Sequence, residues 1–148
     1  MAYEIVEQNV NEKEILLAGI KENGSVIANS LHNFLKEIFK GKIQIIEIRI
    51  DKKDPKNISL SEEIDFNDKV IIIVDDVSNS GKTLLYALRP FLDFYPKKIQ
   101  TLVLVERSYK EFPIAPDYVG LSVSTASFEK IIVEVSKGQI ESATLNAG

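Results

Sequence analysis

The chain has 148 residues, of which 45% are hydrophobic and 27% charged, and this composition excludes a disordered chain. It has no cysteine, which excludes a disulfide framework and a thiolate zinc site, and its formal net charge of −4 gives no overall attraction to nucleic acid. The sequence contains no run of about 18 apolar residues, and its acidic N-terminal segment lacks the order of a signal peptide. We therefore expect a single cytoplasmic domain over residues 1–148 with no membrane partner.

The first part of the chain is predicted to form a helix, a strand and a second helix. Residues 2–9 favour a short helix, and the continuous apolar run at 14–20 favours a strand buried on both faces. Residues 25–41 have the spacing of an amphipathic helix that ends at Gly41. Its predicted apolar face comprises Val26, Ile27, Leu31, Phe34, Leu35 and Ile38.

The middle of the chain adds two strands and a helix. Residues 42–50 are predicted to form the second strand, and the polar residues 51–68 are typical of an excursion from the core, such as a flap. Residues 69–76 are predicted to form the third strand. Residues 81–94 follow with a helical pattern that Pro90 should kink or break.

The remaining predicted elements are β-like. Residues 97–106 favour a fourth strand, and 118–125 and 130–138 favour two shorter ones, while the tail at 139–148 carries no motif and is expected to be mobile. Alternating strands and helices predict an α/β fold with a parallel sheet, Rossmann-like in its right-handed crossovers. Ligands in such sheets bind at the carboxyl ends of the strands.

The segment that follows the third strand has the composition of an anion site. Residues 78–81 are small, so the backbone can approach a ligand closely, and the helix that begins near Lys82 directs its N–H groups back at this loop. The hydroxyls of Ser78, Ser80 and Thr83 add donors. These features favour phosphate over carboxylate.

Two acids, Asp75 and Asp76, stand immediately before this loop. At about 5 Å and an effective dielectric constant of about 20, each carboxylate–phosphate pair would cost roughly 3 kcal/mol. A sugar between acids and phosphate removes this conflict, because carboxylates accept hydrogen bonds from hydroxyls and Mg²⁺ can share the remaining charge.

Three other interpretations of this segment compete with a sugar-phosphate site. A P-loop would need glycine at the position of Asp76. A response-regulator receiver would carry its acids on the first strand, with another aspartate ending a later strand. The third alternative is a strand followed by a capped helix, with the intervening residues acting only as a turn.

Residues 70–83, VIIIVDDVSNSGKT, resemble the phosphoribosyl pyrophosphate (PRPP) binding motif of type I phosphoribosyltransferases, with Ser80 where threonine is usual. Residues 15–31, 102–125 and 129–138 resemble, in order and spacing, segments of the branch that contains pyrimidine operon attenuators and uracil phosphoribosyltransferases. The resemblance implies the type I phosphoribosyltransferase fold with a small flap or hood.

The resemblance also implies an activity and a set of site residues. The expected reaction is transfer of ribose 5-phosphate from PRPP to a pyrimidine base, uracil first, in the presence of Mg²⁺. The catalytic pair would be Asp75 and Asp76, which would hold the ribose hydroxyls and, directly or indirectly, the metal. The residues that would bind PRPP are Val77, Ser78, Asn79, Ser80, Gly81, Lys82 and Thr83. The pyrophosphate loop would comprise Lys21, Glu22, Asn23 and Gly24, and the base pocket would comprise Val105, Glu106 and Arg107.

Two departures bear on this activity. Relatives in this branch usually have Lys-Thr-Arg-Gly in the pyrophosphate loop, whereas residues 21–24 read Lys-Glu-Asn-Gly, so a cation is lost and an acid gained. The family's Thr-Leu-Tyr-Arg-Asp-Asp run is replaced by residues 46–59. In that segment Arg49, Lys52 and Lys53 either supply the lost charge or form a solvated hairpin tip.

These departures leave alternative functions open. The protein could be a noncatalytic sensor of PRPP or a nucleotide, or an RNA-binding regulator of pyrimidine genes, although its net charge of −4 disfavours RNA. The resemblance further implies a homodimer. Reverting Glu22 and Asn23 to threonine and arginine would separate the first alternative from an enzyme, because a sensor would gain activity.

Overall fold

A six-stranded sheet lies at the centre of the computed structural model, which describes residues 1–124, 129–136 and 139–147. Its strands are β1 (Glu14–Ile20), β2 (Lys42–Ile50), β3 (Ile58–Leu60), β4 (Val70–Ser78), β5 (Lys98–Arg107) and β6 (Tyr118–Val123). The helices are α1 (Ala2–Gln8), α2 (Asn23–Ile38) and α3 (Lys82–Ala87), with a 3₁₀ helix at Arg89–Phe91. A separate antiparallel hairpin consists of β7 (Glu129–Ser136) and β8 (Gln139–Ala147).

The strand order is β3-β2-β1-β4-β5-β6, and all neighbours are parallel except β3, which runs antiparallel to β2. The predicted α/β parallel sheet is therefore confirmed. From β1 the chain passes through α2 to β2 on one side, whereas β4 lies on the other side and leads through α3 to β5. A topological switch point, the usual ligand position in such sheets, thus lies between β1 and β4.

Both faces of the sheet are covered, which explains the continuous apolar runs. On β1, Ile15 and Leu17 belong to the core beneath α1 and α2, while Leu16 and Ala18 belong to the core beneath α3. Alternating side chains of a strand point to opposite faces, so a strand that is buried on both faces must be apolar throughout. The hairpin of β7 and β8 packs against α2 and β4.

Several boundaries and exposures differ from the sequence-based expectations. Helix α2 begins at Asn23 and ends at Ile38, three residues before the predicted end at Gly41, because Phe39 already has extended backbone angles. Phe34 is 66% exposed instead of lying on the buried face. Pro90 ends the predicted helix as expected, because α3 stops at Ala87 and a 3₁₀ helix containing the proline follows. No described helix is both long and apolar enough to cross a membrane.

The polar segment at 51–68 is more integrated into the fold than predicted. It forms the tip of the hairpin between β2 and β3 and then contributes Phe66 to the core. Phe66 makes edge-to-face contacts with Phe91 and Phe94, at ring-centre distances of 4.9 and 5.1 Å.

The expectation of a mobile tail is wrong for 139–147, which forms β8. Residue 148, like the ends of two predicted strands at 125 and at 137–138, lies outside the described residues.

Candidate active site

The predicted pyrophosphate loop, which follows β1, touches strand β4 at the switch point. A Cβ atom added to Gly24 would lie 2.4 Å from the carbonyl oxygen of Val74 and 3.2 Å from the Cα of Asp75. The backbone of the predicted pyrophosphate loop therefore packs directly on the end of β4. Only glycine permits this approach, because any side chain at this position would meet main-chain atoms.

Asp75 and Asp76 are held by their own main chain and by side chains from other elements. Asp75 Oδ1 accepts a hydrogen bond from the N–H of Asp76 at 2.9 Å, and Asp76 Oδ1 accepts one from the N–H of Val77 at 2.8 Å. Each second oxygen faces another segment: Asp75 Oδ2 lies 3.9 Å from Lys52 Nζ, and Asp76 Oδ2 accepts from Asn23 Nδ2 at 2.9 Å. The two acids thus connect the pyrophosphate loop, the β2–β3 hairpin and the end of β4.

The protonation of Asp75 is set by its burial. Desolvation raises the pKa of this carboxyl from 3.8 to about 8; nearby Lys52 opposes the rise and Asp76 adds to it. Because loss of water disfavours the charged form, Asp75 is mostly neutral at pH 7. The neighbouring Asp76 is only partly buried.

We expect the variant Asp75→Asn to be more stable than the wild type near neutral pH. The folded-state pKa of Asp75 lies above the unfolded value, so between about pH 4 and pH 8 the folded state binds the extra proton and wild-type stability falls as the pH rises. Asparagine has no proton to lose, so the variant should exceed the wild type by about 2 to 4 kcal/mol in free energy of unfolding at pH 8. Urea unfolding at pH 5 and at pH 8 measures this difference.

The exposed acid Asp93 provides the matched control, because Asp93→Asn removes a carboxylate that is not buried. A stability difference for Asp75→Asn that does not grow between the two pH values would contradict the assignment of a neutral Asp75.

The predicted phosphate loop is short. Strand β4 continues through Val77 and Ser78, two residues beyond the predicted end, so only Asn79, Ser80 and Gly81 form the turn before α3. Gly81 has a φ angle of 88°, in the left-handed region that favours glycine. Because α3 has only six residues, its dipole contributes less than that of the longer predicted helix, and the loop's own groups carry more of the interaction with an anion.

The segment after β5 covers this loop from one side. The carbonyl oxygen of Ser80 accepts hydrogen bonds from the N–H groups of Glu111 and Phe112, at 3.1 and 3.0 Å. On the neighbouring strand, Ser78 pairs in register with Glu106. The predicted base-pocket residues Val105, Glu106 and Arg107 are therefore adjacent to the phosphate loop, and Val105 and Arg107 are buried.

Lys110 was not among the predicted site residues, yet it links the base pocket to the phosphate loop. Its Nζ pairs with Glu106 Oε1 at 2.9 Å and donates to the carbonyl oxygen of Arg107 at 2.9 Å and to Ser78 Oγ at 3.3 Å. Its position in the sequence gives no direct signal, because the four-residue spacing from Glu106 indicates a contact only on a helix.

The four residues of the predicted pyrophosphate loop have different surroundings. Lys21 and Glu22 are exposed and line a cleft of about 370 Å³ together with Arg49 and Asp51 of the hairpin. Gly24 lies against β4. Asn23 is directed inward, where its amide donates to Asp76 and, at 3.1 Å, to the carbonyl oxygen of Val133.

The three cations of the hairpin also differ. Arg49 Nε pairs with Glu47 at 3.1 Å. The main-chain N–H of Lys53 donates to the side chain of Asp51 within the hairpin tip. Lys52 extends from the same tip to Asp75. The structure therefore brings Lys52, of these three, to the acid pair.

The acid pair could hold Mg²⁺ only with help from a substrate. Among the described residues, no group of three or more histidine, aspartate or glutamate side chains could bind a metal ion. Protein sites for Mg²⁺ commonly use one or two carboxylates together with substrate phosphates, which fits this pair. Because Asp75 is mostly neutral at pH 7, Asp76 is the better ligand of the two.

The fold and this arrangement at the switch point define a phosphoribosyltransferase domain, and the family model of that description, phosphoribosyl transferase domain, matches residues 1–137. The chain belongs to this family. It is similar to the bifunctional protein PyrR of Streptococcus pneumoniae, with 36% identity over 143 residues, which cover 93% of this chain and 82% of that protein.

Solved structures of the family share the fold. The hypoxanthine phosphoribosyltransferase of Trypanosoma cruzi superposes with a TM-score of 0.73 at 18% identity, over 86% of this chain and 75% of that one. A hypoxanthine-guanine phosphoribosyltransferase from Bacillus anthracis gives a TM-score of 0.67 at 20% identity, with the same coverage of 86% and 75%. The predicted type I phosphoribosyltransferase fold is therefore confirmed.

Proposed function

We propose that this protein transfers ribose 5-phosphate from PRPP to a pyrimidine base, with uracil as the first candidate. The observation that carries the proposal is the order of groups at the end of β4. Two acids, held by contacts from three segments, are followed directly by a tight loop of small and hydroxylated residues. This order suits a ribose phosphate, whose hydroxyls and phosphate require the two kinds of partner side by side.

The proposed roles follow the position of each residue. Asp76 and Asp75 would accept hydrogen bonds from the ribose hydroxyls, and residues 77–83 would bind the 5-phosphate through N–H groups and hydroxyls. The base would lie beside the end of β5, near Glu106. When bound, Mg²⁺ would be held by Asp76 and oxygens of PRPP, and it would neutralise negative charge on the pyrophosphate.

The reaction breaks the bond between C1 of the ribose and a pyrophosphate oxygen, and forms a bond between C1 and a ring nitrogen of the base, which loses its proton. The protein has little covalent chemistry to perform, so positioning and charge stabilisation supply most of the acceleration. Positive charge near the pyrophosphate is therefore important. Asn23 stands where relatives of this branch have arginine, so this position supplies no positive charge. Lys52, which reaches Asp75 from the hairpin, would supply the positive charge instead.

The proposal predicts that uracil, PRPP and Mg²⁺ together give release of pyrophosphate, and that the double variant Asp75→Asn, Asp76→Asn abolishes it. The measurement is a coupled pyrophosphate assay against a panel of uracil, other pyrimidines and purines. Turnover with a purine alone would refute the proposed substrate class. Absence of pyrophosphate release with every base, together with no binding of PRPP in calorimetry, would refute the proposal as a whole.

A second candidate, a noncatalytic sensor of PRPP, is favoured by the pyrophosphate loop. Glu22 lines the cleft between the pyrophosphate loop and the β2–β3 hairpin, and the amide of Asn23 donates to Asp76 and to the carbonyl oxygen of Val133. Binding of PRPP without turnover, followed by a gain of activity in the variant Glu22→Thr, Asn23→Arg, would support this candidate over an enzyme. The homodimer and the binding of RNA stay predictions of the resemblance.

A further inference from the structure

Asn23 joins three parts of the molecule that are far apart in the sequence. It is the first residue of α2, and its Nδ2 donates to Asp76 Oδ2 at 2.9 Å and to the carbonyl oxygen of Val133 at 3.1 Å. Val133 lies on β7 of the C-terminal hairpin and is 6% exposed. An amide nitrogen carries two hydrogens, so these contacts occupy both of them.

These contacts determine where the carboxylate of Asp76 points. One of its oxygens accepts from the main chain at Val77, and the other accepts from Asn23, so the group is held from two directions. The main chain at Asn23 is held in place, because the next residue, Gly24, packs against the carbonyl oxygen of Val74. A rotation of Asp76 would break its hydrogen bond with the Asn23 amide, which is also held by Val133.

The amide of Asn23 is a neutral donor, so it does not cancel the charge of Asp76. A cation that paired with Asp76 from this position would offset much of its charge. An amide orients the carboxylate and leaves its negative charge available to other donors. Hydrogen bonds to a charged group are stronger than those between neutral groups, so one amide suffices to select an orientation.

We infer that Asn23 is a positioning residue, which orients Asp76 toward the ribose of PRPP and connects the β7–β8 hairpin to the same carboxylate. The inference rests on the proposed function, because it assigns Asn23 to the binding of that sugar. It differs from the role predicted by the sequence, in which Asn23 belongs to a loop that contacts pyrophosphate.

A double-mutant cycle between Asn23→Ala and Asp76→Ala tests this inference. The affinity for PRPP by calorimetry and kcat/KM for PRPP are measured for the wild type, both single variants and the double variant. Asn23→Ala should weaken both quantities by about 10-fold to 100-fold in the wild-type background. In the Asp76→Ala background the same change should have an effect within about 2-fold, because the group on which Asn23 acts is absent.

Asn29→Ala is the matched control, since Asn29 lies on the same helix and its amide donates to the carbonyl oxygen of Ser25 at 2.9 Å without contacting Asp76. Thermal unfolding of every variant separates misfolding from a local effect, and Asn23→Ser replaces Asn23→Ala if the latter does not fold. Equal losses in the two backgrounds would show a merely structural role and overturn the inference.

The outcome for the wild type separates this inference from the proposed function. A wild type that turns over or binds PRPP, combined with additive losses, overturns only the role of Asn23. A wild type that neither binds nor uses PRPP overturns both.

Discussion

The variant Gly24→Ala is expected to lose most of its affinity for PRPP. Its free energy of unfolding should fall by at least about 1 to 3 kcal/mol. The new methyl group would lie 2.4 Å from the carbonyl oxygen of Val74 and 3.2 Å from the Cα of Asp75. Both atoms belong to the main chain of the buried part of a central strand, so neither can turn aside. The start of α2 must move instead, and it carries Asn23 away from Asp76. Urea unfolding and calorimetry with PRPP and Mg²⁺ measure the two effects.

Gly41→Ala provides a control with the same kind of clash at the other end of α2. A Cβ atom at Gly41 would lie 2.4 Å from the carbonyl oxygen of Lys13, which precedes β1 and is remote from the acid pair. This variant should lose stability while its folded fraction keeps the affinity of the wild type. Equal losses of affinity in the two variants would show that general destabilisation, and not the contact between the pyrophosphate loop and β4, is responsible.

The fold could be predicted from the sequence because its central strands are buried on both faces. In β1 and β4 the continuous apolar runs have one simple explanation, namely a parallel sheet with helices on both sides. The site at the end of β4 could be predicted for a related reason. Its acids, small residues and hydroxyls are contiguous in the chain, so their proximity does not depend on how the rest of the chain folds.

Contacts between distant segments could not be predicted in this way. Asn23 is separated by 53 residues from Asp76 and by 110 from Val133, and neither pairing leaves a periodic signal. Lys52 could be named as a candidate cation, but its contact with Asp75 depends on the direction of the β2–β3 hairpin.

The errors about exposure have similar causes. Phe34 has the helical spacing of a buried residue, but periodicity does not show how far the neighbouring elements extend over that face. A single aromatic residue in a polar segment carries no period at all, so the place of Phe66 in the core depends on its tertiary contacts with Phe91 and Phe94.

The two acids should respond very differently to replacement by asparagine. Asp76→Asn is expected to lower kcat/KM for PRPP by about 100-fold to 1,000-fold, because it removes a fixed charge from the position where positive charge develops on the ribose. Asp75→Asn should cost less than about 10-fold at pH 7, because burial raises the pKa of Asp75 to about 8 and asparagine resembles the neutral carboxyl in size and polarity.

The dependence on pH separates these roles further. Above a pH of about 8, Asp75 ionises and adds a negative charge to a site proposed to bind the anionic PRPP, so wild-type affinity for PRPP should fall, while that of Asp75→Asn should not. Kinetics and calorimetry from pH 6 to 9 measure kcat/KM and the affinity for PRPP of both proteins, below and above pH 8. Losses of equal size in the two single variants at pH 7 would contradict this assignment. They would mean that PRPP and its metal displace the proton of Asp75, so that both acids act on the ribose as charged carboxylates.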